Sequence, residues 1–233
     1  MPRLLVLLLT LIPFATLAEP MHMRAQGSNT IGAALLPALV QGQLHAQQAT
    51  AIEQQPGKRA NETVITARDA HGQPVRIDIA AHGSSTGFIA LGRGDADLAA
   101  ASRPINDSEV RQLRALGDLR AAAAEQVIGL DGVAVIVHPD NPMPQLSTQQ
   151  LAQIFSGQIQ RWEQLGIAGG AIHLYARDDR SGTFETFKAL VLEPQHNELS
   201  TRARRFESSD ELAAQVATDR QAIGFRSLGA GHG

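Results

Sequence analysis

The residues best suited to chemistry run from Ala176 to Phe184: Arg177, the acidic pair Asp178-Asp179, Arg180, then a Ser181-Gly182-Thr183 turn leading into Phe184. The chemistry they suit is anion capture. A small-residue turn at a helix start presents free backbone N–H groups and the positive end of the peptide dipole. Hydroxyls of Ser181 and Thr183 add donors, and the planar fork of Arg177 matches an oxyanion in bidentate fashion. Taken alone, the stretch also reads as a solvent-exposed turn with a hydroxyl N-cap. Two other turns share its composition, Gly27-Ser28-Asn29-Thr30-Ile31-Gly32 and Gly83-Ser84-Ser85-Thr86-Gly87, and Ser102-Arg103 closes a short apolar run. Repetition at strand-to-helix junctions is harder to explain by independent caps. A dehydrated oxyanion needs many convergent donors and little bulk near it, which glycine and small hydroxyl residues supply.

The elements that must position these turns follow from local pattern. Residues 171–175 alternate like a strand before the Arg177 turn, and a helix is expected over 183–192. Residues 19–23 read as a short flexible arm, followed after the first turn by a helix over 33–40. The polar stretch 54–61, with Pro56-Gly57, reads as a loop. Residues 63–67 and 75–80 form a predicted hairpin around Asp69 to Gly72, and a helical segment over 88–92 follows the second turn. The apolar run after Asp97 predicts a short buried strand that delivers Ser102 and Arg103 at its C-terminal end, where open α/β sheets bind ligands. Asp107 is the expected N-cap of a charged helix reaching Leu116, extended by the alanines of 119–124. Residues 127–130 and 133–139 carry an apolar β pattern, Ser147 caps a helix ended by Ser156-Gly157, and 193–205 are polar. A helix over 209–217 and a strand over 222–225 complete an α/β pattern.

Composition narrows the function classes. The chain has 233 residues, net charge −3 and no cysteine. Disulfides, thiolate metal sites and a cysteine nucleophile are thereby excluded, and no general electrostatic attraction to nucleic acid follows, so an anion site must be local. Met1-Pro2-Arg3 followed by the apolar run 4–17 and Thr16-Leu17-Ala18 reads as a cleavable signal peptide over residues 1–18. Its apolar run is too short to span a bilayer, which needs roughly 20 residues. The expected location is the periplasm, without membrane insertion of the mature chain.

Taken in order, these motifs resemble the periplasmic phosphate-binding proteins of ABC transporters, a branch of the type II two-lobed solute-binding superfamily. The resemblance covers residues 24–228. Gly27 to Ile31 match the first phosphate loop, Gly83 to Gly87 the second, and Asp97 through Ser102-Arg103 the strand after it. Leu146-Ser147-Thr148, Ile154-Phe155-Ser156-Gly157 and Trp162 match the signature preceding the last loop, which is Arg177 with Ser181-Gly182-Thr183. The resemblance implies a two-lobed α/β fold, each lobe a mixed sheet flanked by helices. Lobe one is expected over 19–128, lobe two over 129–228 and a flexible tail over 229–233, with lobe one incomplete toward the C-terminus. It also implies an interlobe site made of Thr30, Ile31, Ser84, Ser102, Arg103, Arg177, Ser181, Gly182 and Thr183, supported by Ser28 and by Asp179, which would steady Arg177. No cofactor or metal is implied. The partners would be inorganic phosphate and an inner-membrane permease. Well-known members carry an aspartate after the serine, accepting a phosphate proton that sulfate lacks; Arg103 stands there in this chain. Asp178, Asp179 or a carbonyl remain as acceptors, and Arg103 reads either as a site residue or as an interlobe ion pair with Asp178 or Asp179.

Catalysis has little support. No phosphate-loop lysine is present, and the histidines follow no metal spacing. Arg93-Gly94-Asp95 and the two Asn-x-Ser/Thr triplets at Asn61 and Asn106 read as chance matches. His82, beside the second turn, reads as a packing or surface residue. Two other functions fit the same motifs: a receptor for sulfate, molybdate or tungstate, and a sensor or envelope adhesion module of a longer protein.

Overall fold

The computed structural model describes residues 20–142 and 145–229. The signal peptide expected over 1–18 and all but Gly229 of the expected tail lie outside these residues.

The chain forms two sheets flanked by helices. The first is built from β1 (Met21–Gly27), β2 (Thr50–Pro56), β3 (Glu62–Arg68), β4 (Pro74–Ala80) and β5 (Leu98–Ala100), in the order β2-β3-β4-β1-β5. β1 runs parallel to both β4 and β5, while β2, β3 and β4 form an antiparallel meander. Alternation explains the inner face: Val75, Ile77 and Ile79 of β4, Ile65 and Ala67 of β3 and Ala25 of β1 are buried against Val40 and Leu44 of α1 (Leu36–Ala46). α2 (Ser84–Arg93) and α3 (Asp107–Gln112) complete this half, with Phe88, Ile105 and Leu113 packed together.

The second sheet has the order β6-β9-β7-β8, from β6 (Val133–Val137), β7 (His173–Arg177), β8 (Arg204–Phe206) and β9 (Ala222–Ser227). β9 is antiparallel to β6 and parallel to β7, and β7 is parallel to β8. α4 (Thr148–Phe155), α5 (Gly182–Phe187) and α6 (Ser209–Thr218) surround it. Its core is aromatic. Phe187 stacks on Phe225 at 4.0 Å between centroids, and Phe155 meets both rings edge-on. Each such side chain contributes about 1.5–3 kcal/mol on burial, so this cluster anchors the strand and helix on either side of the Arg177 turn.

Several local expectations are corrected. The arm over 19–23 is mostly β1, because Met21 to Met23 pair with Val75 to Ile77 of β4 in a ladder that no apolar run announces. The loop expected from 54 onward begins inside β2, an edge strand whose exposed pattern and terminal Pro56 are tolerated only at an edge. β8 begins at the end of the expected polar segment 193–205 and is likewise an edge strand. The alanines of 119–124 form turns rather than helix, and residues 127–130 form no strand, leaving Leu130 99% exposed. The cap of α3 is Asn106, whose side chain accepts from the Glu109 N–H while Glu109 returns the bond, so Asp107 is the first helical residue. The helix expected over 183–192 is present as α5 followed directly by a π-helical turn, Lys188–Leu192.

Candidate functional site

The three small-residue turns converge between the two sheets. β1 ends at Gly27, and a π-helical turn, Ile31–Leu35, begins after Thr30. β4 leads through Ala81, His82 and Gly83 to Ser84, the first residue of α2, and β5 leads to Ser102. From the other half, β7 leads through Arg177 and a turn to Ser181, the N-cap of α5, whose Oγ accepts from the Phe184 N–H at 3.3 Å. Ser84, Ser181, Thr183 and Ser28 are buried.

Hydroxyls meet across the halves. Thr30 Oγ1 is 3.3 Å from Thr183 Oγ1. Ser84 Oγ accepts from the Ser102 N–H at 3.1 Å and lies 3.3 Å from Ser102 Oγ. Gly182 sits against this serine pair: a methyl group there would lie 2.6 Å from Ser102 Oγ and closer still to Ser84 Oγ. Gly83 (φ +112°) faces the Arg180 carbonyl in the same way, and the Ser85 hydroxyl donates to that carbonyl at 3.0 Å. Thr30, Ser84, Ser102, Gly182 and Thr183 are thus brought together. The Ile31 N–H donates to Ser28 Oγ at 3.4 Å, so Ser28 steadies the first turn.

Arg177 is 1% exposed. Its Nε donates to the Phe206 carbonyl at 3.3 Å, Nη1 to Ser209 Oγ and Nη2 to the Glu207 carbonyl. Among the described residues no carboxylate forms an ion pair with it. Burial lowers its pKa to about 10, against the attraction of Asp178, Glu207 and Asp210. Asp179 does not steady it. That carboxylate is 88% exposed and pairs with Arg205, because the chain turns after Asp178 and carries Asp179 outward.

Arg103 is an ion-pair residue across the halves, with different partners from those expected. Its side chain, 7% exposed, pairs with Glu109, which returns the capping bond to Asn106 at the start of α3, and with Glu185 in the first turn of α5. Asp178 is held by Arg180 and Asp179 by Arg205, so neither reaches Arg103. Burial pushes the Glu185 carboxyl up, and Arg103 only partly offsets it.

Other contacts between the halves had no sequence signal. Asn29 Oδ1 accepts from the Ser209 N–H at 3.2 Å, linking the first turn to the hydroxyl that holds Arg177. Asn61 Nδ2 and His82 Nδ1 both reach Glu207 Oε1, at 2.9 and 2.7 Å. Glu207 and Ser209 are far from Asn29, Asn61 and His82 in the chain, and only the contact between the two halves makes them neighbours.

A family model described as a PBP superfamily domain matches residues 45–232. The chain belongs to this superfamily. Among curated members, Protein SphX of Synechococcus elongatus is 28% identical over 173 residues, 71% of this chain and 49% of that protein. Phosphate-binding protein PstS of Pseudomonas aeruginosa is 29% identical over 167 residues, 66% of this chain and 50% of that protein. The chain therefore spans about half the length of these relatives. A phosphate ABC transporter substrate-binding protein from Clostridium perfringens, solved with bound phosphate, shares the superfamily fold at TM-score 0.67 and 23% identity, over 89% of this chain and 70% of that one. An ABC-type phosphate transport receptor from Vibrio cholerae gives TM-score 0.57 at 22% identity, over 89% and 71%. The two-sheet α/β architecture expected from the motifs agrees with these superfamily structures.

Proposed function

We propose that the chain binds a tetrahedral oxyanion, inorganic phosphate, in an interlobe site, as the extracytoplasmic receptor of an ABC permease. The observation that carries this reading is Arg177: a buried guanidinium with no carboxylate partner among the described residues, held by Ser209, whose N–H reaches Asn29 of the first turn. A buried cation is costly unless a countercharge compensates it, and a bound anion would supply one. Thr30, Ser84, Ser102, Ser181 and Thr183 offer hydroxyls, and Ile31, Gly182 and Thr183 backbone N–H groups. The names of the matched relatives point to phosphate. In this reading residues 19–128 and 129–228 are the lobes, and donors satisfied only when both lobes touch the anion drive their closure. The activity is binding rather than turnover, and the periplasm is the compartment. Among the described residues no helix is long and apolar enough to cross a membrane.

Selectivity has a second reading with its own observation. The guanidinium standing where a proton-accepting aspartate is expected is occupied by Glu109 and Glu185, and Asp178 and Asp179 are engaged by Arg180 and Arg205. The converging hydroxyl cluster then offers donors without a carboxylate, and sulfate competes with phosphate. Calorimetry with phosphate, sulfate and molybdate tests both readings. Phosphate is expected to bind, with Arg177→Met weakening it by at least about tenfold. Absence of binding for all three anions, or an unchanged Arg177→Met, would refute the oxyanion site; rejection of sulfate would refute only the selectivity reading.

A further inference from the structure

His82 lies between the end of β4 and the Ser84 turn, with its side chain 8% exposed. Both ring nitrogens face carboxylates: Nδ1 is 2.7 Å from Glu207 Oε1, and Nε2 is 3.1 Å from Glu62 Oε1. Glu62 opens β3 in the same half, whereas Glu207 follows β8 in the other. Only a doubly protonated imidazole donates from both nitrogens; the neutral ring sets a lone pair against one carboxylate.

The surrounding groups keep both acids ionised. Asn61 Nδ2 donates to Glu207 Oε1 and Arg180 Nη2 to Glu207 Oε2, each at 2.9 Å, while Asp178 shares Arg180. The Arg59 N–H donates to Glu62 Oε2 at 3.0 Å, with its guanidinium 4.0 Å from Oε1. Burial pushes both carboxyls up, but hydrogen bonds outweigh it and hold them below the usual carboxylate range. The Arg59 N–H at Glu62 and Asn61 at Glu207 are among these bonds, beside the His82 ring.

Glu207 also reaches the anion site through its main chain, since its carbonyl accepts from Arg177 Nη2. One residue therefore holds the buried cation with its backbone and the opposite half with its side chain. We propose that Glu207 is a positioning residue that couples Arg177 to closure of the two halves, and that protonated His82 is its partner across the interface, so that anion retention weakens as His82 loses its second proton. The anion clause rests on the oxyanion reading above; the closure clause does not. Because proton binding and closure favour the same state, each strengthens the other.

The test compares wild type, His82→Gln and Glu207→Gln in phosphate calorimetry from about pH 5.5 to 8.5, the interval in which histidines titrate. Phosphate titrates there too, but that effect cancels in the ratio of variant to wild-type Kd. The ratio is expected to be about tenfold at the acidic end, the size of one charge-assisted hydrogen bond, and to fall toward unity at the alkaline end. A merely structural role would give a ratio independent of pH. A second readout needs no phosphate. The chain has no cysteine, so Gln43→Cys and Ala214→Cys, both exposed on α1 and α6, place a dye pair across the halves. The closed fraction of the ligand-free protein should fall as pH rises, and should be flat once His82→Gln is added. A pH-independent Kd ratio together with a flat dye response would overturn the proposal. Failure of phosphate to bind, with the pH-dependent dye response intact, would remove the oxyanion reading and support the latch.

Discussion

Gly182→Ala places the sharpest demand on the arrangement of the site. The added methyl would sit 2.6 Å from Ser102 Oγ, 3.1 Å from Ser84 Cβ and nearer still to Ser84 Oγ. All three atoms belong to the first half of the molecule, while Gly182 begins α5 in the second. Either both serine hydroxyls rotate away or the halves separate by a few tenths of an ångström or more. Overpacking of this kind costs about 1–3 kcal/mol, and at about 1.4 kcal/mol per factor of ten phosphate binding should weaken by roughly 5- to 150-fold. Displacement of Ser84 and Ser102, two of the proposed donors, places the expected value toward the upper end. The methyl meets no atom of its own half among its nearest neighbours, so the melting temperature without ligand should stay within about 2 °C of wild type. Calorimetry and thermal melts on the same preparations separate the two effects. Gly182→Ala binding phosphate within about twofold of wild type would refute the claim that the closed arrangement of these turns is the binding state.

Gly42→Ala, in α1 with open space around the added methyl, should stabilise the fold by about 0.5–1 kcal/mol through helix propensity and leave phosphate binding unchanged; a destabilised melt would contradict the helix. The Arg103–Glu185 pair should show a coupling of about 0.5–3 kcal/mol in a double-mutant cycle of Arg103→Met and Glu185→Gln followed by denaturant unfolding, and additive single effects would remove it as a contact between α5 and the Arg103 turn. Asp97 accepts hydrogen bonds from the Arg24 side chain and N–H, which lower its pKa from 3.8 to about 2. Between those values the unfolded chain binds a proton that the folded chain refuses, so this contribution is complete above 3.8 and is lost as pH falls through about 2. Unfolding curves of wild type and Asp97→Asn should therefore converge across that window, and a constant gap would contradict the pairing.

The sequence by itself determined the local chemistry. Glycine and small hydroxyl residues at strand-to-helix junctions marked all three turns, because a tight turn and a helix start impose their requirements within a few residues. β3, β4 and β7 were legible for the same reason: their alternation is written into consecutive positions. β1, β2 and β8 were not, since their stability comes from neighbouring strands rather than from their own composition. The tertiary structure alone decided which charges meet. Arg103 found Glu109 and Glu185 rather than Asp178 or Asp179, Asp179 turned outward to Arg205, and His82 came to lie between Glu62 and Glu207. An ion pair depends on the distance between side chains brought together by the folded chain, within one half or across the two, and spacing along the sequence does not specify that distance.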